Sequence, residues 1–228
     1  CASIGAGTGF AISPATLKTG DANTAIGSNC NANCAFGINN VAIGYRAMLG
    51  GVNTVNPSNN IAIGFRVLES ITTGNSNIAL GAYAGFSVTT GSSNTAIGNN
   101  TFMQGTTAYG NTALGDQSLR NTTGNYNVGI GQNALNTNTS GSNNTAFGTS
   151  ALQQNSTGSG NVALGYYAGT YETGDNAFYV NNRNLSNTAT EKAGSLLYGT
   201  FNSTVANQTL TINAATTVSS TTDSSSTT

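Results

Sequence analysis

NTAIGNNTFMQGTTAYGNTALGDQSL, residues Asn94 to Leu119, contains its own opening a second time: the pentad at Asn94 returns as Asn111-Thr-Ala-Leu-Gly115, 17 positions on. Working outward, the pentad recurs at Asn77, Asn60, Asn40 and Asn23 on one side and at Asn127, Asn144 and Asn161 on the other. A decayed copy, NAFYV, begins at Asn176. Successive steps are 17, 20, 17, 17, 17, 16, 17, 17 and 15 residues. A near-fixed period of that length signals stacked units, not one irregular core.

Each place in the pentad has a physical reading. The second is Thr, Val or Ile in every full copy, and the fourth is Ile, Leu or Phe. Large residues two apart lie on one face of a short strand. Between them stands Ala in eight of the nine full copies and Gly129 in the other, the mark of a close backbone approach. The fifth place is always Gly, which suits a bend. A second apolar pair follows, as at Val67-Leu68, Ser118-Leu119 and Ala151-Leu152, and then a polar corner such as Thr89-Thr-Gly91. One repeat therefore reads as strand, bend, short second strand and turn. The leading Asn residues would align into a ladder of amides along the stack, a structural column of the kind that reinforces cross-β stacking.

A single unit cannot bury its few apolar side chains, so stacking must build the core. The expected fold is all-β: a β-solenoid or β-roll of about ten short-stranded coils. Each coil supplies few core side chains, so the sequence favours an intertwined homotrimer over a lone solenoid, with the Ala/Gly column near a shared axis.

The pattern N-[TVI]-A-[IL]-G-x-x-A-L, then T-T-G and a return to N-T-A-I-G, resembles repeats in tail-fibre-type proteins of bacteriophages and their bacterial relatives. It is similar in kind to the head repeats of trimeric autotransporter adhesins, although the units here are 17 residues long and not 14. The likeness covers about Asn23 to Val180. Ser195-Leu-Leu-Tyr-Gly-Thr-Phe201 with Asn207-Gln-Thr-Leu-Thr-Ile-Asn213 resembles the connector that follows such repeats. The resemblance implies a trimeric fibre, extracellular or on a virion, that attaches to a cell-surface receptor, expected to be a glycan. Two other classes remain open: a purely structural self-assembling filament or sheath, and an ice-binding solenoid with Thr-rich faces.

The chain divides into residues 1–22, a lead-in or capping repeat; 23–180, the fibre body; 181–213, a β-rich connector; and 214–228, a Ser/Thr-rich linker. Charge is scarce. Six basic and seven acidic residues make up 6% of the chain, with no His and no Trp, where a typical domain carries roughly a quarter. No basic stripe exists for nucleic acid, and no apolar run suits membrane insertion. Without His, and with only Glu172 and Asp175 as a close acidic pair, no catalytic site, cofactor or metal is expected. A glycosidase would need carboxylates contributed by neighbouring chains.

Three features are candidates for local function. Arg46 and Arg66 hold the same place in successive copies, preceded by Tyr45 and Phe65. Stacked, they would form a basic-aromatic patch for a sugar or a partner protein; the alternative is a pair of solvated arginines duplicated with their repeat. Tyr166 and Tyr167, with Tyr171, form a second aromatic group. Cys30 and Cys34 are placed for a local disulfide, or remain two thiols; without further ligands they cannot complete tetrahedral zinc.

Overall fold

A computed structural model describes residues 2–3, 22–31, 37–51 and 56–213. Most of the lead-in, Cys34 and the Ser/Thr-rich tail lie outside these residues. The chain is a β-solenoid of about nine turns with one helix. Its strands are β1 (Ala2–Ser3), β2 (Thr24–Ile26), β3 (Val41–Ile43), β4 (Ile61–Ile63), β5 (Ile78–Leu80), β6 (Thr95–Ile97) and β7 (Thr112–Leu114). There follow β8 (Val128–Ile130), β9 (Thr145–Phe147), β10 (Val162–Leu164), β11 (Ala177–Val180), helix α1 (Thr188–Gly194), β12 (Leu197–Thr200) and β13 (Thr209–Ile212). They form one sheet in chain order. Strands β1 to β11 are parallel, each paired with the same place one repeat later, as in Ala96 opposite Ala113. At the usual strand spacing, the ten strands β2 to β11 make a rod about 45 Å long.

The Asn ladder is structural and continuous. Asn111 shows its logic. Its backbone N–H donates to Asn94 Oδ1 at 3.0 Å, its Nδ2 donates to the Gly124 carbonyl at 3.0 Å, and its Oδ1 accepts from the Asn127 N–H at 2.9 Å. Each amide thus ties three successive turns and satisfies a corner carbonyl that has no strand partner. Full burial is tolerated because both ends of the amide are bonded. An Asp would bring a charge, and a Leu would leave the corner carbonyl and the next N–H unpaired.

The central Ala faces inward. Ala42, Ala62, Ala113, Ala146 and Ala163 are fully buried inside the chain's own coil, which corrects the expected placement of this column at an axis shared by three chains. Their strand neighbours at the second and fourth places face outward instead. Alternation across a strand forces this: if Ala points in, its neighbours cannot. Ala is small because its Cβ meets the second apolar pair across a narrow interior. The exception fits the rule. A Cβ at Gly129 would lie 2.7 Å from Ser118 Oγ, and that hydroxyl donates to the Gly129 carbonyl at 2.7 Å. Gly and Ser have changed together.

The expected second strand is a turn. Leu68, Leu119, Leu135 and Leu152 are fully buried but have φ of +46° to +52°, a left-handed backbone that bulky residues seldom adopt. The next turn supplies compensation: Leu119 N–H donates to the Ala134 carbonyl at 2.9 Å and Leu152 N–H to Ala168 at 3.0 Å. The stack is hydrogen-bonded here without β geometry.

The fifth-place glycine does need its freedom. Gly98 has φ +137°, and a Cβ there would stand 2.7 Å from the Gly115 carbonyl group of the next turn. Backbone stacks directly on backbone along this column.

At the C-terminal end the small-residue rule lapses. Tyr179, opposite Ala163 in register, fills the interior of the last turn and packs against Tyr198 at 5.1 Å between ring centres. Beyond it the chain reverses: β11 pairs antiparallel with β12, and β12 with β13. The stretch expected as a plain polar transition contains α1, started by a capping box in which Asn187 and Thr190 bond each other's backbones.

If the ladder carries the stack, Asn111→Ala in the intact chain should lower unfolding stability by roughly 2 to 4 kcal/mol, since one substitution strands a buried carbonyl and a buried N–H. Urea denaturation measures this, with Asn99→Ala on the exposed side of the same region as the control. Equal midpoints would show the ladder to be dispensable.

Candidate functional site: an aromatic and arginine patch, and a buried carboxylate cap

Tyr45 and Phe65 follow the fifth-place glycines of adjacent turns, so their rings project one above the other. They stack with centroids 5.4 Å apart and planes 19° apart, and both are more than two-fifths exposed. Tyr83, one turn on, meets Phe65 edge-to-face at 5.3 Å, and Phe86 continues the row at 5.8 Å. An exposed aromatic row thus runs along one edge of three turns.

Arg46 and Arg66 stand one turn apart, as the repeat requires, but they are not simply solvated. Both bind Glu69, a nearly buried side chain. Arg66 grips it with Nε and Nη2, and Arg46 Nη2 lies 3.0 Å from its Oε1. That bidentate grip holds the Arg66 guanidinium still more firmly protonated than usual. Arg66 also lies over Phe86 at 4.9 Å and over Tyr83 at 5.6 Å. Two cations share one anion, so the cluster keeps a net positive charge beside the ring row. Sequence reasoning placed four members of this patch and missed Glu69, Tyr83 and Phe86. Tyr83 was legible in principle: it occupies the same repeat place as Arg46 and Arg66.

Tyr166 and Tyr167 pack edge-to-face at 4.4 Å, and burial by its neighbour raises the Tyr166 phenol. They occupy the same two columns as Tyr45 and Arg46 but seven turns away, about 34 Å along the rod. They form a separate group. A third aromatic pair, Tyr109 and Tyr126, sits on the opposite side of the Asn column at 5.0 Å. Cys30 is a free, half-buried thiol whose Sγ lies 3.1 Å from the Gly27 carbonyl, and burial raises it.

The carboxylates resolve differently from the expected pair. Asp175 accepts from the Ser159 N–H at 2.6 Å in an exposed turn. Glu172 lies against the solenoid end. Its Oε2 accepts from the Tyr179 hydroxyl at 2.5 Å and faces Lys192 Nζ at 3.4 Å, while its Oε1 accepts from the Gly174 N–H at 2.8 Å. Burial opposes its charge, but these bonds outweigh it and hold the carboxyl below the usual range. Glu191 of α1 is fully buried, with Oε2 accepting from the Tyr171 N–H at 3.0 Å and Oε1 without a partner. Burial pushes it up to about 7. Both carboxylates are enclosed by the cap and offer no open face to a substrate. Among the described residues, no group of three side chains suited to a metal ion occurs.

The two shifts have opposite consequences for stability. Glu191 takes up its proton more readily folded than unfolded, so its contribution is complete below pH 4.5 and is lost as pH rises toward about 7. Glu172 is held low, so its contribution is present above the ordinary carboxyl range and is lost in stronger acid. The melting temperature should therefore fall between about pH 4.5 and pH 7, and Glu191→Gln should flatten that limb. A wild-type profile flat across this window would refute the assignment.

Compared with known protein families, curated proteins and solved structures, the chain matches none.

Proposed function

We propose that this chain is a non-enzymatic attachment module: a rigid spacer that carries a receptor-contact surface, working outside the cell or on a virion. The observation that supports it best is the exposed ring row of Tyr45, Phe65 and Tyr83 beside a surplus arginine charge. Such a row is a costly thing to leave in water on a rod that is otherwise nearly free of charge. Flat aromatic faces suit the C–H faces of a sugar, and guanidinium groups suit its oxygens, so a cell-surface glycan is the ligand class of choice. The rod itself supports the reading. Its interior is filled by Ala, Leu and bonded Asn, with no internal site to serve, and every turn adds length and stiffness. The ice-binding alternative is weakened by the corner hydroxyls. Thr72, Thr89, Thr123 and Thr139 donate to carbonyls of the next turn and are not free to order water.

A glycan array probed with the intact chain tests this. Wild type should retain a limited set of glycans. Tyr45→Ala combined with Phe65→Ala should weaken retention about tenfold or more, the effect of losing two ring contacts of about 1 kcal/mol each. Both rings are exposed, so folding should persist. Array silence for the wild type, or undiminished binding by the double variant, would end the reading.

A further inference from the structure

The outward face of the sheet carries the inference. On every strand from β2 to β11 the large residues point away from the chain's own core, and several are strongly exposed: Ile61 and Ile63 36%, Leu114 43%, Phe147 56%. No charged residue stands in either outward column. The register then extends these columns beyond the solenoid. One runs Leu164, Val180, Leu197, Ile212; the other runs Val162, Phe178, Gly199, Leu210. Strand β13 decides the matter. Both its faces are open to solvent, yet its apolar residues are Leu210 and Ile212, on the outward side, and its threonines Thr209 and Thr211 are on the side of the chain's own core. Selection for burial has therefore acted on the side that this chain leaves bare. Where Gly199 interrupts the column, Phe178, Phe201 and Leu210 frame a recess of about 330 Å³, sized for an inserted side chain.

We propose that this face is the contact between copies of the chain, packed side by side along the rod and closing as a homotrimer. The second and fourth places meet at the common axis, not the Ala column. Size supports a copy–copy contact. Two side chains per strand, at a few tens of Å² each, leave roughly 1,000 Å² of mostly apolar surface. The largest patch on a monomer is about 300–600 Å² and a stable interface needs about 800 Å² per partner. Spacing identifies the occupant. The ridges on this face repeat at about 4.8 Å over the whole rod, and another stack of the same strands matches that repeat along its full length. The absence of charge leaves nothing for a partner of opposite sign to recognise. This inference does not depend on the attachment reading, because the aromatic and arginine patch lies beyond the fifth-place glycines, outside the two columns.

Light scattering after size exclusion on the intact chain tests it. The expected mass is three times 22.9 kDa. Leu114→Glu with Phe147→Glu should reduce it to one chain with the far-ultraviolet circular dichroism unchanged. Leu210→Glu with Ile212→Glu, placed on the hairpin outside the solenoid, should weaken assembly even if the first pair perturbs folding. A wild-type mass of one chain overturns the proposal, as does a full mass retained by both variants. A mass of two chains, or an open series, that collapses with the variants supports the face and overturns three-fold closure. Glycan retention by the single-chain variants would separate this outcome from any failure of the patch.

Discussion

Everything in this molecule depends on one spacing. Parallel strands one repeat apart must lie about 4.8 Å from one another along the whole rod, with backbone on backbone at the corners. The Asn ladder enforces that spacing from inside: each amide reaches the turn before, the turn after and its own corner carbonyl, for example Asn94 Oδ1 to Asn111 N–H at 3.0 Å. Nothing larger than hydrogen fits at the fifth place, where the Cβ of Gly98 would overlap the next glycine's carbonyl. A wide core is thereby ruled out. The interior has room for a methyl from each strand and one Leu or its equivalent from the facing turn.

A thin core explains the inversion of the strand. In most sheets with one covered face, the larger residues of the alternation face the core and the small ones face solvent. Here Ala faces inward and Ile, Leu and Phe outward. The coil cannot hold them, and their hydrophobic gain must come from a second surface. The same reasoning covers both ends of the stack. Where stacking stops, the interior opens, and Tyr179 replaces Ala at the same place in register. The cap that closes this end carries Glu191 with one oxygen unpartnered, so its docking is sensitive to pH in a rod that otherwise has almost nothing to titrate.

The surface chemistry follows from the same economy of charge. With so few ionic groups, those present do specific structural work: Glu69 clamps two arginines from neighbouring turns, and Glu172 draws Lys192 onto the last turn. The clamp also fixes Arg66 over the rings of Tyr83 and Phe86. Repetition makes this possible. A duplicated unit places like residues in columns, so a change in one copy meets its counterpart one turn away, and patches arise from single substitutions at one repeat place.

The sequence by itself determined the solenoid, its period, its Asn column and the Tyr45–Phe65 stack. Each of these follows from residues that recur at a fixed step and so must be neighbours in any stacked structure. Only the tertiary structure decided which way the strand faces. Thr-Ala-Ile is equally good alternation with either side inward, and the choice depends on how close the facing turn approaches. Left-handed backbone at buried leucines such as Leu119 was equally hidden, since apolar spacing reads the same in a strand and in a turn whose N–H groups bond to the next coil. Glu69 and Glu191 were not legible either: neither recurs in the repeat, and their partners are fixed by the fold, across turns for Glu69 and at the end of the stack for Glu191.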